Sequence, residues 1–315
     1  MRFQTCYTAP MSIILSVPIA SDPLALERFV SEHLNMPYLT VRSWVLSGHI
    51  TVNGEPRKPQ RYVHPGDTIH ISPPPLQTHP ATPEDLGLDV VYQDADLVIV
   101  NKPTGMATHP SAGWWHGSCI NGLLYAIRDW PGIGQVAGPG VVHRLDRDTS
   151  GLLVFAKSEA AHQALLAAAR ERKIARRYLA WVTGALTGAG TITAPLGRDP
   201  ENPYQEAVRP DGKAAITHYK VLATTPERSL VGLQLETGRT HQIRVHMAHV
   251  GHPVWGDPLY GQAQATGMTL HAASLAFVHP IRGEPLHFQV VPPAPWEAFA
   301  PLGNEVLAEL ALNFS

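Results

Sequence analysis

The stretch Gly140-Val141-Val142-His143-Arg144-Leu145-Asp146-Arg147-Asp148-Thr149-Ser150-Gly151 packs two arginines, two carboxylates and two hydroxyls into a dozen positions. The apolar run Leu152 to Ala156 follows at once and reads as a buried strand. A glycine lies on each side of the polar core, where the backbone can turn sharply or take positive φ at little cost. Charged groups are thus presented at the mouth of something buried, and carboxylates near a core must be paired or hydrogen-bonded. Asp146 and Asp148 lie two positions apart, with Arg144 and Arg147 close by. Such a pair suits general acid/base work, or one carboxylate acting as nucleophile while arginines hold it ionised. The plainer reading is an ion-paired turn. The flanking glycines and the apolar strand favour the chemical one.

Outward on the C-terminal side, Glu159 to Ile174 reads as an alanine-rich helix with a basic end: Arg170, Arg172, Lys173, Arg176 and Arg177 against Glu171. A strand, Tyr178 to Val182, follows. Cations beside an aromatic suit phosphate contact with base stacking, although cations at a helix end are also favoured by its dipole. Strands and turns are expected from Thr191 to Val290, then a last amphipathic helix from Pro295 to Ala311. Within Leu233 to Tyr260, polar groups crowd around Ile243, Val245 and Met247. Arg239 and Arg244 are placed to grip phosphate or pin a carboxylate in a bidentate pair. His241, His246, His249 and His252 invite a metal reading, but their spacing fits no recognised zinc motif and neither cysteine is near. No metal is expected.

Outward on the N-terminal side, Gly132 to Gly140 is a glycine-rich loop and Gly117 to Trp130 carries a helix. Before it, Val90-Val91-Tyr92 and Leu97 to Val100 read as strands, and Asn101-Lys102-Pro103-Thr104-Gly105 turns the chain. Several strands with few helices, not in regular β–α alternation, indicate an α+β fold. A proline-rich segment, residues 73–85, is the best domain boundary. Ahead of it come a strand at Ile13 to Val17, a helix beginning near Pro23 and another from Thr40 to a stop at Gly48. The strand Ile50 to Val52, the tight turn Asn53-Gly54 and the strand Thr68 to Ile71 complete a small module. The string Trp44-Val45-Leu46-Ser47-Gly48-His49-Ile50-Thr51-Val52-Asn53-Gly54, with Pro65-Gly66-Asp67, resembles the S4 RNA-binding domain. Its cations, Arg28, Arg42, Arg57, Lys58 and Arg61, are offset by as many acids between positions 22 and 72.

The 315 residues accommodate two domains, and the formal net charge is only −2. Affinity for a polyanion must therefore come from local basic patches. Two cysteines, Cys6 and Cys119, make no disulfide framework, so a reducing compartment, the cytoplasm, is expected. No apolar run approaches the roughly 20 residues of a membrane span, and no membrane partner is expected. Met1 to Ala20 lacks a clear signal-peptide layout. Residues 1–12 are read as a flexible extension, with Met11 an alternative start.

Together the motifs resemble the RluA family of RNA pseudouridine synthases over residues 86–290. The anchors are Asn101-Lys102-Pro103 with Gly105, the string His143-Arg144-Leu145-Asp146…Asp148-Thr149-Ser150-Gly151, and Tyr178 with Gly184. Further anchors are Gly212-Lys213-Ala214 with Thr217, Gly238-Arg239-Thr240-His241-Gln242-Ile243-Arg244, and Gly256-Asp257…Tyr260. Arg177-Tyr178 departs from the family's usual Lys-Tyr but keeps the charge.

The resemblance implies a mixed, largely antiparallel β-sheet catalytic domain of the pseudouridine synthase type, preceded by the small S4-like α+β domain. The expected layout is 1–12 extension, 13–72 S4-like domain, 73–85 linker, 86–295 catalytic domain and 296–315 C-terminal helix or tail. It implies isomerisation of specific uridines in structured RNA, with large-subunit ribosomal RNA foremost and transfer RNA second. The family's catalytic aspartate falls on Asp146, whose attack on C1′ or C6, or removal of the 2′ proton, the sequence leaves open. Arg244 falls on its partner, Tyr178 on the residue packing against the target uracil, and Arg144 on the arginine filling the gap left by the flipped base. Arg172, Lys173, Arg176, Arg239, His241, Arg42 and Lys58 complete the expected RNA contacts. No cofactor and no obligate protein partner are implied. The alternatives are a catalytically silent RNA-binding or ribosome-assembly factor on the same fold, and a metal-dependent hydrolase built on the histidines.

Overall fold

The computed structural model describes residues 12–19, 22–34, 38–58, 61–72, 81–110, 115–127, 130, 140–202, 205–294 and 296. The extension up to Met11, linker residues 73–80, loop residues 131–139 and the C-terminal segment from 297 lie outside the described residues. The chain divides into two compact units, Met1–Thr78 and His79–Ser315.

The first unit is a small α+β body. Its four-stranded antiparallel sheet runs in the order Ile13–Ser16, Thr68–Ile71, Ile50–Val52, Glu55–Pro56. Two helices, Leu26–Leu34 and Tyr38–Leu46, supply Leu26, Phe29, Val30, Val41 and Val45 to a core shared with Ile50, Val52, Ile69 and Ile71. The first helix starts later than its apolar spacing indicated, because Leu24–Ala25 instead pairs with Tyr62–Val63. Gly48 follows the second helix at φ +77°, a left-handed stop. Asn53 and Gly54 both take positive φ, the geometry a two-residue hairpin turn demands.

The second unit is built on a nine-stranded mixed sheet. Along its path run Ala189–Thr193, Ile216–Thr224, Arg228–Leu235, Ala175–Thr183, Leu270–Val278, Ser150–Ala156, Leu97–Lys102 and Asp89–Gln93, with Pro285–Gln289 paired to Leu270–Val278. Every pairing is antiparallel except one: Leu270–Val278 runs parallel to Ser150–Ala156. That junction lies where the charge-dense stretch enters the sheet. All seven residues of Ser150–Ala156 are buried. Leu153 and Phe155 enter one core cluster, while Leu152, Val154 and Ala156 enter another. Alternate side chains point to opposite faces, and both faces are covered, which is why the run is apolar throughout.

The helix expected over Glu159 to Ile174 ends at Arg170. Arg172 takes positive φ and Ala175–Thr183 is strand, so Arg176 and Arg177 belong to a strand and not to a basic helix end. Strands and turns dominate residues 191–290, and the one helix described among them, Gln242–His249, carried no sequence signal. Its apolar residues alternate, but Ile243 and Met247 pack into the main core and Val245 into a separate cluster with Leu196 and Ala215. Burial on both sides hides the helical period.

At the parallel junction the Ser150 hydroxyl meets His271 Nδ1 at 2.8 Å. Burial pushes His271 down to about 4, and burial with the nearby Arg176 charge pushes His143 down to about 3. Both folded values lie below the unfolded value near 6.5, so between these limits the unfolded chain binds protons that the native chain does not. Stability is complete above pH 6.5 and falls as the pH drops toward 4, by up to about 1.4 kcal/mol per pH unit for each histidine. Urea unfolding at pH 7.5 and pH 5 measures this; equal midpoints would contradict it.

Candidate active site

Two glycines anchor the stretch 140–151. Gly140 has φ +65°, and a Cβ there would lie 2.0 Å from the Ala156 carbonyl oxygen. Gly151 has φ +110°, and a Cβ would lie 2.3 Å from the Ala272 oxygen. Neither position admits another residue without moving the sheet.

Between them the turn is held from beneath by the segment after Leu97–Lys102. The Thr108 hydroxyl donates to Leu145 O (3.0 Å) and accepts from Leu145 N (3.2 Å), and Thr104 Oγ1 donates to Asp148 O (2.8 Å). Lys102, fully buried, donates its three ammonium protons to the carbonyls of Pro103, Met106 and Arg147 at 2.8–2.9 Å. Burial pulls its pKa down to about 8. Lys102→Met therefore orphans three carbonyls and should cost about 3 kcal/mol or more, read as a lowered melting temperature. An unchanged melt would contradict the support role. Asp148 pairs with Arg147 Nε at 3.2 Å on the exposed side, so the two carboxylates do not share one site.

Asp146 projects into a cavity of about 420 Å³ whose lining includes Arg144, Arg176, Tyr178, Arg239, His241 and Arg244. Its Oδ2 accepts from Arg244 Nη1 at 3.1 Å. Arg244 comes from the buried helix Gln242–His249, and its other nitrogens grip Asp257: Nε to Oδ2 at 2.7 Å and Nη2 to Oδ1 at 2.8 Å. Asp257, with no exposed surface, also accepts from the Leu259 and Tyr260 amides. The Tyr260 ring lies 5.1 Å from the guanidinium carbon. Burial opposes the Arg244 charge, but the hydrogen bonds and charges of Asp257 and Asp146 outweigh it and raise its pKa. A bidentate partner behind and a single bond in front fix the guanidinium against Asp146.

Gln242 positions that helix. Its amide donates to Ile216 O (2.9 Å) and Thr217 Oγ1 (3.0 Å), and its carbonyl accepts from Thr237 and Arg239 N. Tyr178, on Ala175–Thr183, is buried, and burial raises its phenol pKa. Arg144 is exposed at the cavity, and Arg176 Nε is buried there without a hydrogen-bond partner. Arg239 Nε donates to Ala214 O at 3.1 Å.

The structure thus brings Asp146, Arg244, Tyr178, Arg144, Arg176, Arg239 and His241 to one cavity. Arg172 and Lys173 do not line it; they pair with Glu236 (2.7 Å) and Glu171 (2.6 Å). Arg42 and Lys58 belong to the first unit. Three of the four histidines of the metal reading take separate partners: His246 bonds Thr217 and Ala194, His252 bonds Thr183 O, and His241 faces Asp146. A different group, Asp94, Asp96 and His279, gathers elsewhere, with Asp94 taken by His279 (2.9 Å) and Arg282 (3.1 Å). Sequence reasoning gave no site role to Lys102, Asp257 or Tyr260. The available signal was charge balance: a buried arginine calls for carboxylates to meet each edge of its guanidinium.

Residues 96–249 match the family model for RNA pseudouridylate synthase. The chain is 43% identical over 253 residues to the uncharacterized RNA pseudouridine synthase YlyB of Bacillus subtilis, covering 79% of this chain and 84% of that protein. It is 39% identical over 260 residues to ribosomal large subunit pseudouridine synthase D of Escherichia coli K12, covering 77% and 79%. Among solved structures, human RNA pseudouridylate synthase domain containing 1 superposes with a TM-score of 0.58 at 25% identity, covering 72% of this chain and 95% of that one. With identities of 39–43% over more than three quarters of its length, this chain belongs to the RNA pseudouridylate synthase family.

Proposed function

We propose that this chain is an isomerase that converts specific uridines of large-subunit ribosomal RNA to pseudouridine, with Asp146 as the reacting carboxylate. The observation that carries the reading is the Asp146–Arg244–Asp257 chain, whose first two members line an arginine-rich cavity and whose last is buried behind them. In the reaction the N1–C1′ bond breaks, the base turns and C5 bonds to C1′. The C5 proton leaves and N1 gains one, so no redox partner is consumed. Attack by Asp146 on C1′ or C6, or removal of the 2′ proton, each needs an ionised carboxylate, which Arg244 favours. Tyr178 packs on the target uracil. Arg144 fills the gap the flipped base leaves, and Arg176 and Arg239 contact phosphates. The names of the relatives support the ribosomal target, with transfer RNA as the competing one.

Residues 13–72 act as an S4-like RNA-binding domain, with Arg42 and Lys58 among its contacts and residues 73–85 as the linker to a catalytic domain at 86–295. Two helices followed by short antiparallel strands support that reading. Arg172 and Lys173 are offered as peripheral contacts. The cytoplasm is the proposed site of action; no helix among the described residues is long and apolar enough to cross a membrane. Turnover on transcribed large-subunit fragments and on transfer RNA tests the proposal through release of tritium from C5-labelled uridine. Release from ribosomal fragments is expected; binding without release would leave only a silent RNA-binding factor. Arg239→Ala should weaken RNA affinity and flatten its dependence on salt, since each phosphate contact releases counterions. An unchanged slope would remove Arg239 from the phosphate contacts.

A further inference from the structure

Asp146 presents its two oxygens unequally. Oδ2 accepts from Arg244 Nη1 at 3.1 Å and faces His241 Nε2 at 3.8 Å. Both neighbours lie on that one oxygen. On the far side of the imidazole, His241 Nδ1 is 2.8 Å from the Tyr260 hydroxyl. That hydroxyl oxygen accepts from the Glu206 amide at 2.8 Å, so its single proton is left to donate to Nδ1. A neutral imidazole that accepts at Nδ1 carries its proton on Nε2.

The backbone marks the same residue. His241 precedes the helix Gln242–His249 at φ 54°, in the left-handed region, and its side chain makes no capping bond. Asparagine or glycine fits such a position at lower cost than histidine. Strain of this kind persists where surrounding contacts over-determine the residue. Here the imidazole is spent between Tyr260 and Asp146 rather than on the helix.

We propose that Tyr260 and His241 form a tautomer lock. Tyr260 holds His241 with its Nε2–H directed toward Asp146 Oδ2, the oxygen that Arg244 already hydrogen-bonds, and this leaves Oδ1 as the oxygen that reacts. The inference rests on Asp146 being the reacting carboxylate, and it makes His241 and Tyr260 positioning residues. Burial lowers the His241 pKa, which keeps the ring neutral near pH 7, as the lock requires.

Two measurements test it. Nitrogen-15 NMR of the histidine rings in the full chain, with His241→Asn used to assign the signal, reports the tautomer without reference to activity. A protonated Nε2 with a bare Nδ1 is expected, and a protonated Nδ1 would overturn the lock. The second measurement compares two substitutions. Glutamine places an N–H near the Nε2 position; asparagine suits the left-handed backbone but reaches only as far as Nδ1. A purely structural role ranks asparagine at or above glutamine in both melting temperature and kcat. The lock predicts a kcat for His241→Gln at least about 10-fold above that of His241→Asn, with KM little moved, because a carboxylate misplaced by a fraction of an ångström loses rate rather than binding. Equal kcat values for His241→Asn and wild type would overturn it. Tyr260→Phe keeps the ring over Arg244 and removes only the hydroxyl, and it should shift the NMR tautomer balance while lowering kcat. An inactive wild type would instead refute the proposed function and leave the NMR result standing by itself.

Discussion

Asp146→Asn is expected to abolish turnover, by at least about 10³-fold, and to leave the melting temperature near that of wild type. The amide keeps the size of the carboxylate and an oxygen for Arg244 Nη1, now 3.1 Å away. What it loses is the negative charge, and every candidate role for Asp146 needs that charge. The fold tolerates the change because Arg244 retains its stronger, two-bond partner, Asp257, at 2.7 and 2.8 Å. Single-turnover assays with thermal melts check both halves. Residual activity within tenfold of wild type would remove Asp146 from the chemistry. Asp148→Asn should be much milder, since that carboxylate only pairs with Arg147 at the surface.

Arg244→Met should be as inactive as Asp146→Asn and, unlike it, badly destabilised. The side chains of Arg244 and Asp257 are 5% and 0% exposed. Removing the guanidinium leaves the Asp257 charge buried with only the Leu259 and Tyr260 amides, which is expected to cost about 3–5 kcal/mol. Replacing both members with apolar residues removes the stranded charge, so Arg244→Met with Asp257→Leu should be more stable than Arg244→Met alone, yet still inactive. Arg244→Lys keeps a charge but offers one point where the site uses a fork, and it too should lose most activity. Denaturant midpoints for the four proteins decide the matter. A double variant no more stable than Arg244→Met would show that Asp257 is not stranded.

The parts of this arrangement legible in the sequence were those with a local signature. The glycines at 140 and 151 bracket the turn because the backbone there meets Ala156 and Ala272, and that need is written at the positions themselves. The buried strand Ser150–Ala156 is equally plain. The helix Gln242–His249 was not, because its surroundings bury it on both sides and erase its period. The strand assignment of Arg176 and Arg177 was hidden for a related reason: the alanine-rich helix runs into a basic segment without glycine or proline to end it, and the stop at Arg170 comes with the left-handed Arg172. Within the site, Asp146 and Arg244 carried their own signals. Asp257 and Lys102 act through partners that only folding brings near: Asp257 lies 13 positions from Arg244, and Lys102 lies 45 from Arg147. The Tyr260–His241 contact is of the same kind, invisible until the loop 250–260 folds back on the helix.

The central claim is that Asp146 makes pseudouridine in cellular RNA. Mapping pseudouridine in total RNA from a deletion strain carrying an empty vector, the wild-type chain or Asp146→Asn tests it most directly. At least one large-subunit ribosomal site is expected to be absent with the empty vector, restored by wild type and still absent with Asp146→Asn. A pseudouridine map identical in all three strains, or restoration by Asp146→Asn, would contradict it.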